Sequence, residues 1–210
     1  MYYQLSSWLD SESDIWLVVI AIAINAKSEG VVLGLALFYG GLVQLLAGMW
    51  EFKTGNTFGS VAFSSYGGFW MSFAAINMNC LGFLNGYSTY PNGAKDLNDG
   101  LGLYLLAWGM FSLWMTLAAH RTTIALMLLL FLVFVTFLML SISHFTVFTF
   151  PDISIRTKEA GGCFGTMAAL LAWYCAYASL LSKKISLITL PLGEFDPIYR
   201  SWGWLPEEGK

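Results

Sequence analysis

Charged residues are scarce in this sequence of 210 residues. Only 11% of the positions carry Asp, Glu, Lys or Arg, whereas 57% are hydrophobic. A soluble domain carries about 25% charged residues, so this chain has too few of them to cover a water-facing surface. Ten basic and thirteen acidic residues give a net charge of -3, which offers no basic face to a nucleic-acid backbone. The composition disfavours a soluble domain, a disordered chain and a nucleic-acid-binding protein.

Residues that enzymes use in catalysis are also few. The two histidines, His120 and His144, are far apart, and the sequence contains no HExxH, GxSxG, CxxC or P-loop motif. The three cysteines, Cys80, Cys163 and Cys175, lie in apolar runs. We interpret them as small apolar side chains. We therefore predict no catalytic residues, no metal site and no cofactor, and a membrane enzyme is the least favoured function.

Long apolar runs dominate what the sequence does contain. A membrane-spanning helix needs roughly 20 mostly apolar residues. Five runs reach about that length, at residues 31–50, 58–84, 101–119, 122–150 and 160–181. A sixth run at 15–26 is shorter, and it fits a frayed first span, an interfacial helix or an uncleaved signal-like segment. We predict an all-α integral membrane helical bundle with five clear spans and a short or degenerate first span.

The same pattern divides the chain into three parts. Residues 1–30 form an N-terminal segment with a short apolar stretch, residues 31–185 the membrane domain, and residues 186–210 a C-terminal tail. Lys183 and Lys184 follow the last apolar run directly. Since loops rich in Lys and Arg stay on the inner side of the membrane, the tail is predicted to be cytosolic.

Small residues recur every four positions in three of the runs. Such rows let helix backbones approach closely within the bilayer. The rows are Ala36, Gly40, Gln44 and Gly48; Ser60, Ser64, Gly68 and Ser72; and Gly161, Gly165 and Ala169. They are interpreted as helix-packing surfaces. In the first two rows, polar side chains at membrane depth also fit a hydrophilic passage, because a buried polar group needs a partner.

Glu51 is the most informative carboxylate, because it follows Trp50 at the end of an apolar run. Two interpretations remain open. One is a solvated interface acid paired with Lys53. The other is a carboxylate that faces a passage and exchanges protons.

The stretch from Ala36 to Trp70 resembles the acetate uptake transporter family. The resemblance rests on FYGG at 38–41, Gln44, AGMWEF at 47–52, GNTFG at 55–59 and FSSYGGFW at 63–70. Later stretches are also similar to the family: HRT at 120–122, the last apolar run from Lys158 to Leu181, and TLPLGEF at 189–195. The NPAPLGL motif that opens the first span in this family does not occur in residues 1–35.

The resemblance implies six helices, cytosolic ends, a homohexamer in the plasma membrane, and passage of acetate and related monocarboxylates with protons. It also implies a constriction made by a Phe, a Tyr and a Leu, where the Tyr corresponds to Tyr66 and the Leu falls near Val133. Two other functions stay open. One is a non-transporting sensor or oligomer subunit of the same fold, which the missing NPAPLGL motif favours. The other is an ammonium exporter.

A candidate pathway follows from these observations. A path for a small carboxylic acid needs hydrogen-bonding groups for the carboxyl and apolar walls for the methyl group, and Tyr66 supplies both. Passage as the neutral acid, or with a proton, avoids placing a bare charge at the bilayer centre. The candidate residues are Tyr39, Gln44, Glu51, Thr57, Phe63, Ser64, Ser65, Tyr66, Trp70 and Val133.

Overall fold

The computed structural model describes residues 29–181 and 188–195. Helices carry the fold in this part of the chain, with one isolated antiparallel bridge between Thr123 and Glu194. The predicted all-α architecture is confirmed. The short apolar run at 15–26 lies outside the described residues, and so does most of the predicted tail. The proposed division into three parts remains a prediction.

The first described helical segment changes its winding in the middle. Helix α1 (Glu29–Leu37) continues into a π-helical segment, Phe38–Val43, and then into helix α2 (Gln44–Thr54). π-Helical turns are rare and often lie at functional sites. Helix α2 ends at Gly55, whose φ of 86° is a left-handed conformation that glycine adopts without strain.

Helix α3 (Thr57–Asn77) packs backbone to backbone against this first segment. A Cβ atom added to Gly67 would lie 2.7 Å from the Leu45 amide nitrogen, and one added to Gly48 would lie 2.5 Å from the Ser64 amide nitrogen. The first two rows of small residues therefore meet at Gly48 and Ser64. Gly68, one position from Gly67, has no atom of the described residues within 4 Å of an added Cβ.

Helix α3 is shorter than the apolar run that predicted it. The run continues to Leu84, whereas the helix ends at Asn77, and short 3₁₀ turns follow at Asn79–Leu81 and Asn85–Thr89. Asn77 donates its side-chain amide to the Phe73 carbonyl at 2.8 Å, and Gly82 adopts a φ of 70°. The backbone leaves the helix at Met78, which is extended at φ -80° and ψ 112°, and Gly82 ends the first 3₁₀ turn. The helix therefore ends although the sequence around it stays apolar.

Three long helices form the rest of the described bundle, α4 (Gly93–Ala118), α5 (Ile124–Thr146) and α6 (Pro151–Leu180). Helix α5 packs against both α4 and α6. Helices α4 and α6 begin well before the predicted starts at 101 and 160. The prediction missed their first turns because those turns are polar and lie outside the apolar runs. Lys95 binds Asp99 one turn along α4 at 2.6 Å, and Pro151 takes the first position of α6.

Four described segments are long and apolar enough to cross a membrane: Leu33–Thr54, Gly93–Arg121, Ile124–Thr146 and Pro151–Leu180. Helix α3 has a spanning length of 21 residues. It is less apolar, because glycine, serine and tyrosine occupy much of it. Four of the five predicted clear spans thus meet both criteria, and the remaining one meets the length criterion.

The described part of the C-terminal tail, residues 188–195, binds the start of α5. The Gly193 carbonyl accepts from the Ile124 amide at 2.8 Å, and the Leu192 carbonyl accepts from the Ala125 amide at 3.2 Å. The Tyr174 hydroxyl of α6 donates to the Pro191 carbonyl at 2.5 Å. The tail therefore supplies acceptors to amides that a helix cannot satisfy internally in its first turn.

Candidate functional site

A cavity of about 260 Å³ lies between helices α2, α3, α5 and α6. Its wall is mostly apolar and aromatic, with polar groups from three residues on α2, α3 and the turn between them. One face of α3 and one face of α5 supply most of the wall, since residues three or four positions apart share a helix face. The lining residues are Gln44, Asn56, Phe58, Gly59, Ala62, Phe63, Tyr66, Phe69, Trp70, Leu126, Leu129, Leu130, Val133, Phe137 and Cys175.

Tyr66 is held on two sides within this wall. Its ring meets the ring of Phe111 edge to face, with centroids 5.4 Å apart. Its hydroxyl donates to the Ser112 hydroxyl of α4 at 2.9 Å. These contacts fix the phenol between α3 and α4, with one side of it at the cavity.

Gln44 contributes a buried amide to the cavity. The residue is 6% exposed, and among the described residues no hydrogen-bond donor reaches its Oε1 atom. Gln44 is the first residue after the π-helical segment. A buried acceptor without a partner costs free energy, on the order of 1–3 kcal/mol. Gln44 therefore brings an unsatisfied hydrogen-bond acceptor to the residues of the cavity wall.

Glu51 and Asn56 form a hydrogen-bonded pair at one end of the cavity, next to the turn between α2 and α3. Glu51 is only 6% exposed and accepts from the Asn56 Nδ2 atom at 2.5 Å. The Asn56 Oδ1 atom accepts from the Gly59 amide at 3.0 Å, as a helix cap does. The Lys53 ammonium lies 5.4 Å from the centroid of the Trp50 ring instead. The interpretation of Glu51 as a solvated acid paired with Lys53 is therefore wrong.

An aromatic cluster lies at the other end of the cavity, deeper in the bundle. Phe69 is at its centre and is 3% exposed. Ring centroids of five residues lie within 6 Å of the Phe69 centroid, at 4.9 to 5.8 Å: Trp70, Phe73, Tyr104, Trp108 and Phe137. The cluster fills the space between α3, α4 and α5, so the cavity stops there.

The cavity unites half of the predicted site residues. Gln44, Phe63, Tyr66, Trp70 and Val133 line it. Trp70 reaches it by lying over Gly40 of the π-helical segment, where an added Cβ would be 3.3 Å from the indole.

The structure places the other five predicted site residues outside the cavity wall. Glu51 lies behind the wall, against the lining residues Asn56 and Gly59. Thr57 is exposed, and Tyr39 lies in the π-helical segment. Ser64 and Ser65 line a shallow depression with Trp108 and Phe111. Consecutive helix residues point in different directions, so Ser64 and Ser65 lie beside Tyr66 in the chain and outside the cavity that it lines. Their place in the pathway stays a prediction.

Several lining residues were not predicted. Leu130 and Phe137 of α5 are buried members of this group, at 4% and 7% exposure. The signal was present, because Leu126, Leu129, Leu130, Val133 and Phe137 follow the spacing of a single helix face. No such pattern indicated Cys175, because the sequence of α6 does not show which helix packs against it.

Known proteins resemble this chain over most of its length. The model of the GPR1/FUN34/yaaH family matches residues 16–196. Ammonia transport outward protein 2 of Saccharomyces cerevisiae is 43% identical over 169 residues, which make up 78% of this chain and 57% of that protein. Acetate permease A of Emericella nidulans is 39% identical over 167 residues, 79% of this chain and 56% of that protein. The chain thus spans a little over half of the length of these relatives.

A solved structure has the same fold. It is the bacterial acetate channel SatP, which matches with a TM-score of 0.71 and 30% sequence identity. The match covers 91% of this chain and 98% of that one.

Proposed function

The chain belongs to the GPR1/FUN34/yaaH family of membrane transporters and channels, and from that premise we propose that it forms a passage for acetate and related small monocarboxylic acids. The observation that carries the proposal is the cavity beside Tyr66, where the buried Gln44 amide lies in a mostly aromatic and apolar wall. An acid of this kind has a polar end for the amide and an apolar end for the rings.

The size of the cavity supports a small substrate. At about 260 Å³ it is smaller than the roughly 300–1,000 Å³ of pockets that hold drug-sized ligands. No Lys or Arg lines it within the described residues. A carboxylate would therefore enter without a counter-ion, which is costly at membrane depth.

The polar groups of the cavity favour the protonated acid over the anion. Gln44 Oε1 is an acceptor without a partner among the described residues, and Asn56 already donates one N–H to Glu51 and accepts from the Gly59 amide. A protonated carboxyl group can donate to Gln44, whereas a carboxylate cannot. Passage is thus proposed to be proton-coupled, with the buried Glu51 carboxyl exchanging the proton near the Asn56 end.

The proposal is tested with labelled acetate and proteoliposomes, and empty liposomes measure what crosses the lipid unaided. Replacing Gln44 with leucine removes the amide and keeps a similar size, so uptake should fall about three- to tenfold, the worth of one hydrogen bond. Thr149→Ala is the control, because Thr149 is exposed, outside the cavity wall and not among the candidate pathway residues. Equal uptake by Gln44→Leu and wild type would exclude this cavity as the route. A pH-sensitive dye in the lumen reports whether protons accompany the acid.

Ammonium export is a second candidate, favoured by the acceptor in the cavity and by a relative named for outward ammonia transport. An ammonium ion can also donate to Gln44 and lie against aromatic rings. Competition separates the two candidates: excess ammonium should leave acetate uptake unchanged if the cavity selects acids. A sensor or a non-transporting subunit would bind acetate without uptake in the same liposomes.

Assembly and placement complete the proposal. We propose a homohexamer in the plasma membrane with its C-terminus in the cytosol. Large apolar side chains such as Phe38, Phe52 and Trp114 are 63%, 74% and 65% exposed in a single chain and are available to lipid or to neighbouring copies. Native mass spectrometry from mild detergent should give six chains, and a protease-accessible C-terminal tag should be cut only from the cytosolic side.

A further inference from the structure

Ser112 lies behind Tyr66, on the side away from the cavity. It is on α4, its side chain is 0% exposed, and it is not part of the cavity wall. Its hydroxyl is nevertheless the partner of the Tyr66 hydroxyl, at 2.9 Å. The serine therefore acts on the cavity only through the tyrosine.

The directions of two hydrogen bonds determine what Tyr66 can offer to a ligand. The Ser112 hydroxyl donates to the Trp108 carbonyl at 2.9 Å, and a carbonyl can only accept. The single proton of Ser112 is thereby used, so the Tyr66 hydroxyl donates to Ser112. Since the phenol also has a single proton, only its lone pair remains for a ligand in the cavity.

We propose that Ser112 is a specificity-determining residue, because it holds the Tyr66 hydroxyl as an acceptor toward the cavity and so selects the protonated acid against its anion. The inference deepens the proposed function and rests on it. A protonated acid satisfies the Tyr66 oxygen with its own hydrogen, whereas a carboxylate meets only a lone pair at this hydroxyl.

The buried neighbour of Ser112 provides a matched control. Thr116 lies one turn further along α4, is 8% exposed, and donates its hydroxyl to the Ser112 carbonyl at 2.8 Å. Like Ser112, it donates its hydroxyl to the carbonyl four residues earlier in α4. Within the described part of the chain, the Tyr66 hydroxyl bonds to Ser112 and not to Thr116. Ser112→Ala and Thr116→Ala therefore both remove a buried hydroxyl from this face of α4. Only Ser112→Ala also removes the hydrogen bond with Tyr66.

The experiment compares acetate uptake at pH 7.5 and pH 5.5 in proteoliposomes, after subtraction of empty liposomes. Wild-type uptake should follow the protonated acid, which falls roughly tenfold for each pH unit above the pKa of the acid. Ser112→Ala frees the Tyr66 proton to turn toward the cavity and bind the anion. Its ratio of uptake at pH 7.5 to uptake at pH 5.5 should exceed the wild-type ratio at least threefold, whereas Thr116→Ala should keep the wild-type ratio.

A double variant identifies Tyr66 as the mediator. With Tyr66→Phe in place there is no phenol to reorient, so adding Ser112→Ala should leave the ratio of Tyr66→Phe unchanged. Ser112→Cys retains a side chain of similar size with a weak acceptor, and its ratio should lie between those of wild type and Ser112→Ala. It carries the test if the alanine variant does not fold.

The outcomes separate this inference from the proposed function. Wild-type liposomes that take up no more acetate than empty ones contradict the proposed function and this inference with it. Wild-type uptake together with an unchanged ratio in the Ser112 variants contradicts the inference alone. A change of equal size in Thr116→Ala, or in the double variant relative to Tyr66→Phe, also overturns it.

Discussion

The two sides of helix α3 are packed in different ways. Toward α2 and the π-helical segment, Gly67 and Gly48 bring backbone against backbone. Toward α4, the contacts are aromatic rings around Phe69 and two hydroxyl bonds, from Tyr66 to Ser112 and from Ser72 to Tyr104. Backbone cannot move aside, whereas side chains can change rotamer. A rearrangement that widens the cavity therefore costs less on the α4 side than on the α2 side.

The largest effect is expected on the glycine side. Gly67→Ala places a Cβ 2.7 Å from the Leu45 amide nitrogen and 2.9 Å from the Gly41 carbonyl oxygen. Overpacking of this kind costs about 1–3 kcal/mol. Thermal unfolding in detergent should show the loss. Gly68→Ala is the control and should be neutral or slightly stabilising, because alanine favours a helix and meets no described atom there. Equal stability of the two variants would show that the α2 side is not rigid.

A smaller effect on stability, and a clear one on transport, is expected in the aromatic cluster. Phe69→Leu keeps most of the volume and should cost less than about 1.5 kcal/mol. It also removes the ring on which five others pack, so the barrier at the end of the cavity should weaken and acetate uptake should rise. Phe131→Leu is the control, since Phe131 is 45% exposed and outside the cavity wall. Unchanged uptake with Phe69→Leu would locate the barrier elsewhere.

The smallest effect concerns the second hydroxyl bridge. The Tyr104 hydroxyl lies 2.7 Å from the Ser72 hydroxyl and donates to the Phe69 carbonyl at 3.2 Å. Tyr104→Phe should lower the free energy of unfolding by about 0.6 kcal/mol, an average for hydrogen bonds between membrane helices. Unfolding in detergent measures it against Tyr177→Phe, whose side chain is 65% exposed. A loss as large as that of Gly67→Ala would erase the difference between the two sides.

Sequence reasoning reached the two sides of α3 unequally. Spacing by four identified the two rows that contain Gly48 and Ser64, because close helix packing depends on side-chain size, which can be read directly from the sequence. It did not identify Ser112, since a serine in an apolar run gives no sign of its partner on another helix. Tyr66 and Gln44 were found through the family resemblance and their polarity.

The helix boundaries show a second limit. Apolar runs mark the part of a helix that fits the bilayer, so the polar first turns of α4 and α6 were assigned to loops. Local pairs such as Lys95 with Asp99 extend the helices into those turns. Conversely, α3 ends at Asn77 within an apolar stretch. Hydropathy thus predicts the apolar part of each helix better than it predicts where the helix begins and ends.

The contact between the tail and helix α5 has a consequence for synthesis. Ile124 and Ala125 find their acceptors in Gly193 and Leu192, which are translated only after α5 and α6. When α5 leaves the ribosome, its first amides have water or lipid headgroups as partners. Helix α6 must already be in place before this end of the bundle acquires its final hydrogen bonds. A chain stopped short of residue 192 would complete every described helix and still leave the Ile124 and Ala125 amides without these acceptors.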